Sequence, residues 1–164
     1  MSWTVIDSPV GELRLVEQGG ALTQIEFAPF PPVGLSHDGR PRGARNDDQP
    51  VLVETARQLR AYFDRDLKEF DLPLAPVGTE FQQRVWQGLR EIGYGETSSY
   101  GELAHRLGKS NAASRAVGLA NGRNPIPIVI PCHRVIGANG TLTGYAGGLD
   151  RKQKLLELEQ DALF

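Results

Sequence analysis

A chain of 164 residues with 40% hydrophobic content has room for one domain or two small ones, each with a buried core. No apolar run approaches the roughly 20 residues that cross a bilayer, and Met1-Ser2-Trp3-Thr4-Val5-Ile6-Asp7 lacks the basic start and apolar core of a signal peptide, so the chain reads as an intracellular, cytoplasmic protein without a membrane partner. The net charge of −2 argues against binding polyanions by bulk charge, yet residues 1–80 hold 8 basic and 13 acidic side chains (−5) while residues 81–164 hold 10 and 7 (+3), so any nucleic-acid surface belongs to the second half.

In chain order, Thr4–Ile6, Leu13–Val16 and Leu22–Phe27 are β-rich stretches separated by Pro9-Val10-Gly11 and Gly19-Gly20, the spacing of an antiparallel meander. Residues 29–50, rich in Pro, Gly, Arg and Asp, read as a long mobile loop. Pro50 opens a helix whose apolar residues are Leu52, Ala56, Leu59 and Phe63, and Phe70–Leu74 reads as a strand. Thr79-Glu80-Phe81-Gln82 is a capping box ahead of a helix carrying Phe81, Val85, Leu89 and Ile92, ended by Gly93. Ser99-Tyr100-Gly101-Glu102 is a second such box, and Leu103, Ala104 and Leu107 follow in a short helix stopped by Gly108. Asn111 then caps a third helix with a buried stripe of Ala113, Ala116, Val117 and Ala120. Two short helices joined by a glycine turn match a helix-turn-helix, whose second helix would approach DNA. The outer face of that helix offers Ser114, Arg115 and Gly118. Helical hairpins of this size also serve as plain packing units.

The chain holds one cysteine, Cys132, with His133 beside it. A lone cysteine cannot form an internal disulfide, which leaves packing, metal binding or nucleophilic chemistry. The free thiol has a pKa near 8.5, so a reactive one needs a base or a cation close by. Adjacent side chains in regular structure do not face each other, and a direct Cys132–His133 bond would need an irregular turn or a bridging water. The imidazole in turn needs an orienting partner, for which Glu157 and Glu159 are both candidates. With three histidines (37, 105, 133) and one cysteine, no zinc-ligand spacing exists, and no metal or cofactor is expected. Gly144-Tyr145-Ala146-Gly147-Gly148 is glycine-rich but fits no phosphate-binding pattern.

The second half closely resembles the O6-alkylguanine-DNA alkyltransferase family. The resemblance rests on Gly93-Tyr94-Gly95-Glu96-Thr97, Ser99-Tyr100-Gly101, Ser114-Arg115-Ala116-Val117-Gly118, Asn124-Pro125 and above all Ile130-Pro131-Cys132-His133-Arg134-Val135. It implies a mixed α/β (α+β) fold: a small ribonuclease-H-like α/β domain over residues 1–76, then a mainly helical alkyltransferase and DNA-binding domain with a helix-turn-helix over residues 77–164. It implies single-turnover DNA repair, in which an alkyl group passes from O6-alkylguanine in double-stranded DNA, and from O4-alkylthymine as a further substrate, to Cys132. His133 would draw off the thiol proton through a water and Glu159 would orient His133. Asn124 would tie the cysteine segment to the helix-turn-helix. Tyr100 would help the guanine leave, and Arg115 would fill the gap left by an extruded base. Ser114 and Gly118 would lie along the minor groove, with Tyr145, Ala146, Gly147 and Pro127 walling the base pocket. Ala146 stands where some relatives carry serine, which removes one donor to O6. No cofactor is implied, and the protein would act as a monomer. A cysteine hydrolase and a non-catalytic DNA-binding module are the rival readings of the same residues.

Overall fold

The computed structural model describes residues 1–31, 43–140, 144–145 and 147–161. Half of the expected loop at 29–50, residues 32–42, lies outside these residues, as does Ala146, and the described remainder holds a two-residue strand at Ala44–Arg45. The chain divides into two compact units, Met1–Pro76 and Val77–Phe164. Among the described residues no helix is long and apolar enough to cross a membrane.

In the first unit β1 (Ser2–Ile6), β2 (Leu13–Gln18) and β3 (Ala21–Phe27) form an antiparallel meander, extended by β4 (Ala44–Arg45) parallel to β1, in the order β3-β2-β1-β4. Helix α1 (Pro50–Phe63) packs on this sheet. Pro50 sits at its start, where a missing N–H costs nothing, and the Gln49 side chain caps Val51 and Leu52. Its buried stripe ends on Tyr62 rather than Phe63, which is half-buried. Leu13, Leu15, Leu22, Ile25, Leu52, Ala56 and Leu59 make the core. Phe70–Leu74 is not a regular strand; it meets β3 through a single bridge between Leu22 and Leu74. Arg14, buried at 2% exposure, is held by Glu26 at 3.3 Å and lies 4.8 Å from the Phe30 ring centre.

The second unit begins with α2 (Glu80–Leu89), opened by a reciprocal capping box between Thr79 and Gln82. After β5 (Ser98–Ser99), α3 (Tyr100–Arg106) is capped by the Ser99 hydroxyl. Glu102 does not complete a second box, because its carboxylate accepts from the Ser98 hydroxyl instead. Asn111–Ala113 form a 3-10 turn, and α4 (Ser114–Gly122) starts behind it without a side-chain cap. Asn111 instead bonds His105 across the turn, at 2.9 Å. The expected stripe on α4 is rotated as a result. Val117, Ala120 and Asn121 are buried, whereas Ala116 is exposed. The Trp86 ring N–H donates to the Ala120 carbonyl at 2.9 Å and locks α2 to α4, while Gly88 lets α3 come close, since a β-carbon there would lie 3.1 Å from Leu103. A 3-10 turn at Cys132–Arg134, β6 (Val135–Ile136) pairing with β5, and α5 (Leu149–Asp161) complete the unit.

Thr79→Ala removes half of the box that starts α2. It should lower stability by about 1 kcal/mol, read as a shift in the urea unfolding midpoint.

Candidate active site

Cys132 opens the 3-10 turn, with Pro131 at φ −81° and ψ 63° ahead of it. This tight turn is the irregular geometry that lets neighbouring side chains serve one site. The approach to it is stapled by Asn124. Its amide donates to the Ile130 carbonyl at 2.8 Å, and its carbonyl oxygen accepts from Ile126 N at 3.0 Å. Within this loop Ile128 takes φ 73°. A β-branched residue pays strain there, on the order of 1–3 kcal/mol, so its surroundings must hold it in place. Pro127 is buried in the same loop.

Cys132 is 4% exposed and His133 fully buried. His133 Nε2 lies 2.7 Å from Glu159 Oε2, while Nδ1 has no hydrogen-bond partner among the described residues, so the ring and the thiol are not directly bonded. Glu159 also receives Arg134, through Nε at 2.9 Å and Nη2 at 3.1 Å, and Gly95 N at 3.3 Å. Arg134 Nη1 continues to the Ile92 carbonyl at 2.6 Å, and the guanidinium lies 5.8 Å from the Tyr94 ring centre. Glu157 plays no part in this cluster; it is exposed and accepts from Gln153. Lys152 is fully buried on the same face of α5 as Glu159, seven residues before it, with Nζ donating to the Val135 carbonyl at 2.6 Å.

Burial raises the Cys132 thiol to a pKa of about 11, against the partial help of the Asn124 side chain, the Lys152 charge and the Tyr145 side chain. Burial lowers the pKa of His133, although Glu159 pulls the other way, so the ring is neutral at pH 7. Burial pushes the Glu159 carboxyl up, but the bonds and charges of His133 and Arg134 outweigh it and hold the pKa down to about 2. The resting site is therefore a protonated thiol, a neutral imidazole and an ionised carboxylate. A neutral His133 that donates from Nε2 to Glu159 carries its lone pair on Nδ1, which makes that atom the available base.

A second group of candidate residues lies on the helix pair. Tyr100 opens α3 directly after β5, and the β5–β6 pairing of Ser98 with Val135 and Ser99 with Ile136 ties that position to the end of the cysteine turn. Gly118 faces Tyr100, since a β-carbon on it would lie 3.6 Å from the ring. Arg115 is exposed, and Ser114 helps line an open cleft of about 800 Å³ with Ser99, Tyr100, Gly101, Glu102, His105, Arg106, Asn111 and Ala138. Gly147 is buried and Tyr145 half-buried ahead of α5. Two participants were missed by sequence reasoning: Arg134 and Lys152. For Lys152 a signal existed, because Lys152, Leu155 and Glu159 share the buried phase of α5.

A buried thiol next in sequence to a buried imidazole–carboxylate pair defines the class of thiol-nucleophile proteins. Comparison with known families narrows this. Residues 1–76 match the family model for the 6-O-methylguanine DNA methyltransferase ribonuclease-like domain, and residues 80–161 match that for its DNA-binding domain. A methylated-DNA–protein-cysteine methyltransferase of Methanosarcina acetivorans is 50% identical over 159 residues, covering 97% of this chain and 98% of that protein. One from Mycobacterium tuberculosis is also 50% identical, covering 96% and 92%. The crystal structure of Mycobacterium tuberculosis OGT in complex with DNA aligns with a TM-score of 0.85 at 48% identity, over 99% of this chain and 94% of that one. The chain belongs to the 6-O-methylguanine DNA methyltransferase family.

The pKa shifts predict how stability depends on pH. His133 is held below its ordinary 6.5, so its contribution is present above pH 6.5 and lost as pH falls below it. Glu159 is held below 4.5, so its contribution fades as pH falls from 4.5 towards 2. Cys132 is raised from 9.0 to about 11, so its contribution is lost as pH rises through that window, while buried Lys152, held below its ordinary 10.5, works in the opposite sense there. Melting temperature should therefore climb as pH rises to about 6.5, and above pH 9 the wild type should lose stability relative to Cys132→Ser. In Glu159→Gln the protein should melt lower at neutral pH and lose its acid step below pH 4.5.

Proposed function

We propose that this chain repairs DNA directly, moving an alkyl group from O6 of guanine in double-stranded DNA onto Sγ of Cys132. The observation that carries the reading is the buried Glu159–His133 pair behind a single thiol, in a chain of this family. Sulfur forms a bond to the alkyl carbon as the carbon–O6 bond breaks, and the bonding pair passes to the guanine. The thiol proton leaves to His133 Nδ1 by way of a water, and the purine takes up one proton in exchange. A general base of this kind contributes typically about 10²–10⁴-fold. The product is a thioether with no mild hydrolytic exit, so each molecule acts once. A cysteine hydrolase would instead form an ester-like intermediate and turn over.

The target atom lies inside the base stack, and Cys132 is almost entirely buried, so the nucleotide must leave the duplex to react. Extrusion costs a few kcal/mol, which Arg115 offsets by occupying the gap from the minor-groove side. Tyr100 meets the developing charge on the departing guanine, and Asn124 keeps the cysteine loop in its strained shape. Ser114 and Gly118 follow the groove. Tyr145, Gly147 and Pro127 wall the base pocket. The protein acts as a monomer, in a reducing compartment that keeps the thiol free.

Mixing a known amount of protein with excess O6-methylguanine duplex should add one methyl mass per molecule, mapped to Cys132, with repair stopping at that equivalence. Continued turnover, or an unmodified Cys132, would overturn the proposal. Arg115→Ala should slow the reaction with duplex DNA about tenfold or more, as the loss of about 1.4 kcal/mol of gap-filling implies. The same substitution should leave the reaction with the free O6-alkylguanine base unchanged, and stopped-flow rates on both substrates check this.

A further inference from the structure

Leu119 is 64% exposed, the highest exposure among the large apolar side chains on the described surface. It lies on α4, four residues after Arg115 and four before Arg123, and both arginines are exposed. At 1.5 Å per residue, the three positions span about 12 Å along one face of the helix. Val117, Ala120 and Asn121 point the other way, into the unit. The chain therefore spends a large apolar residue on the very face it leaves otherwise small or cationic: Gly122, Ala116 and the two arginines. An isolated exposed leucine is ordinary. One held between two cations, on the second helix of a helix-turn-helix, has a defined setting.

We infer that Leu119 is a DNA-binding residue that packs against the deoxyribose walls of the minor groove, between the arginine that enters the stack and the arginine that reaches a phosphate. The inference rests on the DNA-repair reading above. The occupant is argued from charge and chemistry. The flanking arginines favour a polyanion, and what a polyanionic duplex presents between its phosphates in the minor groove is largely sugar carbon and hydrogen. A Leu side chain loses its exposed apolar surface there without requiring a hydrogen bond. The minor groove is about 6 Å wide, so a helix entering it brings its outermost side chains against both walls. Such a contact adds affinity but releases no counterion. It is thereby distinguishable from an arginine contact, which changes the slope of log K against log salt by about one unit. It also reads the sugar, because a ribose 2′-hydroxyl in this groove would place a polar group against the leucine.

The test measures equilibrium binding of the full chain to an undamaged duplex across a salt series, for wild type, Leu119→Ser and Leu119→Met. Unchanged melting temperatures confirm that these surface variants are folded. Leu119→Ser should bind at least threefold more weakly with an unchanged salt slope, and Leu119→Met should stay within twofold of wild type. Introducing 2′-hydroxyls along the contacted strand should weaken wild type more than Leu119→Ser. A loss smaller than threefold, tighter binding by Leu119→Ser, or a slope altered by a full unit would overturn the inference. So would sedimentation showing that Leu119 instead joins two copies of the chain. Wild-type Cys132 methylation by an O6-methylguanine duplex, followed by mass in a parallel sample, separates the two levels. Its absence sinks the repair reading, whereas its presence with an insensitive Leu119 sinks only this one.

Discussion

A carboxylate shielded from water to 1% exposure would ordinarily take up a proton, yet Glu159 stays ionised because three donors converge on it. Arg134 approaches with two nitrogens, His133 with one, and the Gly95 amide with a fourth bond. Charge-assisted bonds of this kind are roughly twice as strong as neutral ones, and breaking such a buried pair by removing one partner costs about 3–5 kcal/mol. The rest of the second unit is arranged around that constraint. The carboxylate fixes which imidazole nitrogen carries the proton. Arg134, held there, bonds the Ile92 carbonyl and so pins the chain just after α2. Gln160 donates to the Gly95 carbonyl next door, so the end of α5 and the Tyr94-Gly95 turn are bound twice.

The reactivity of the thiol follows from the same burial. A pKa of about 11 leaves roughly one thiol in ten thousand ionised at neutral pH, so the resting sulfur is a poor target for oxidants. Burial also lowers the basicity of His133, which keeps the ring neutral and its Nδ1 lone pair available. Lys152, buried and anchored to the Val135 carbonyl, adds a positive field that favours the thiolate.

The two groups of candidate residues are joined by very little chain. β5 leads straight into Tyr100, and β6 leads straight out of the Cys132 turn, so one two-residue parallel pairing sets the helix pair against the reacting sulfur. Asn124 performs the matching task from the far side, where α4 runs out and the strained Ile128 loop begins. Small residues hold the helices themselves close. Gly88 admits Leu103, and Gly101 comes within reach of Asn111 and Ser114.

Much of this was legible in the sequence wherever the signal was local. The meander of the first three strands, the Pro50 start of α1 and the Thr79 capping box each depend on residues within a few positions of one another. The Pro-Cys-His-Arg-Val string carried the chemistry and the family likeness. Local patterns misled where a competing local partner existed: Asn111 bonds His105 instead of capping a helix, Glu102 turns to Ser98, and Ala116 is left in solvent. Periodicity left open which glutamate meets His133, and the family resemblance alone pointed to Glu159; the tertiary structure shows the contact, because Glu157 and Glu159 differ by about 200° around α5 and the ring arrives from 26 residues away. It alone made core residues of Arg134 and Lys152, since a charged side chain can be buried only where distant segments bring it a partner. Periodicity along a chain reports which face of a helix is apolar, and it carries no information about a charge whose counterpart lies elsewhere in the fold.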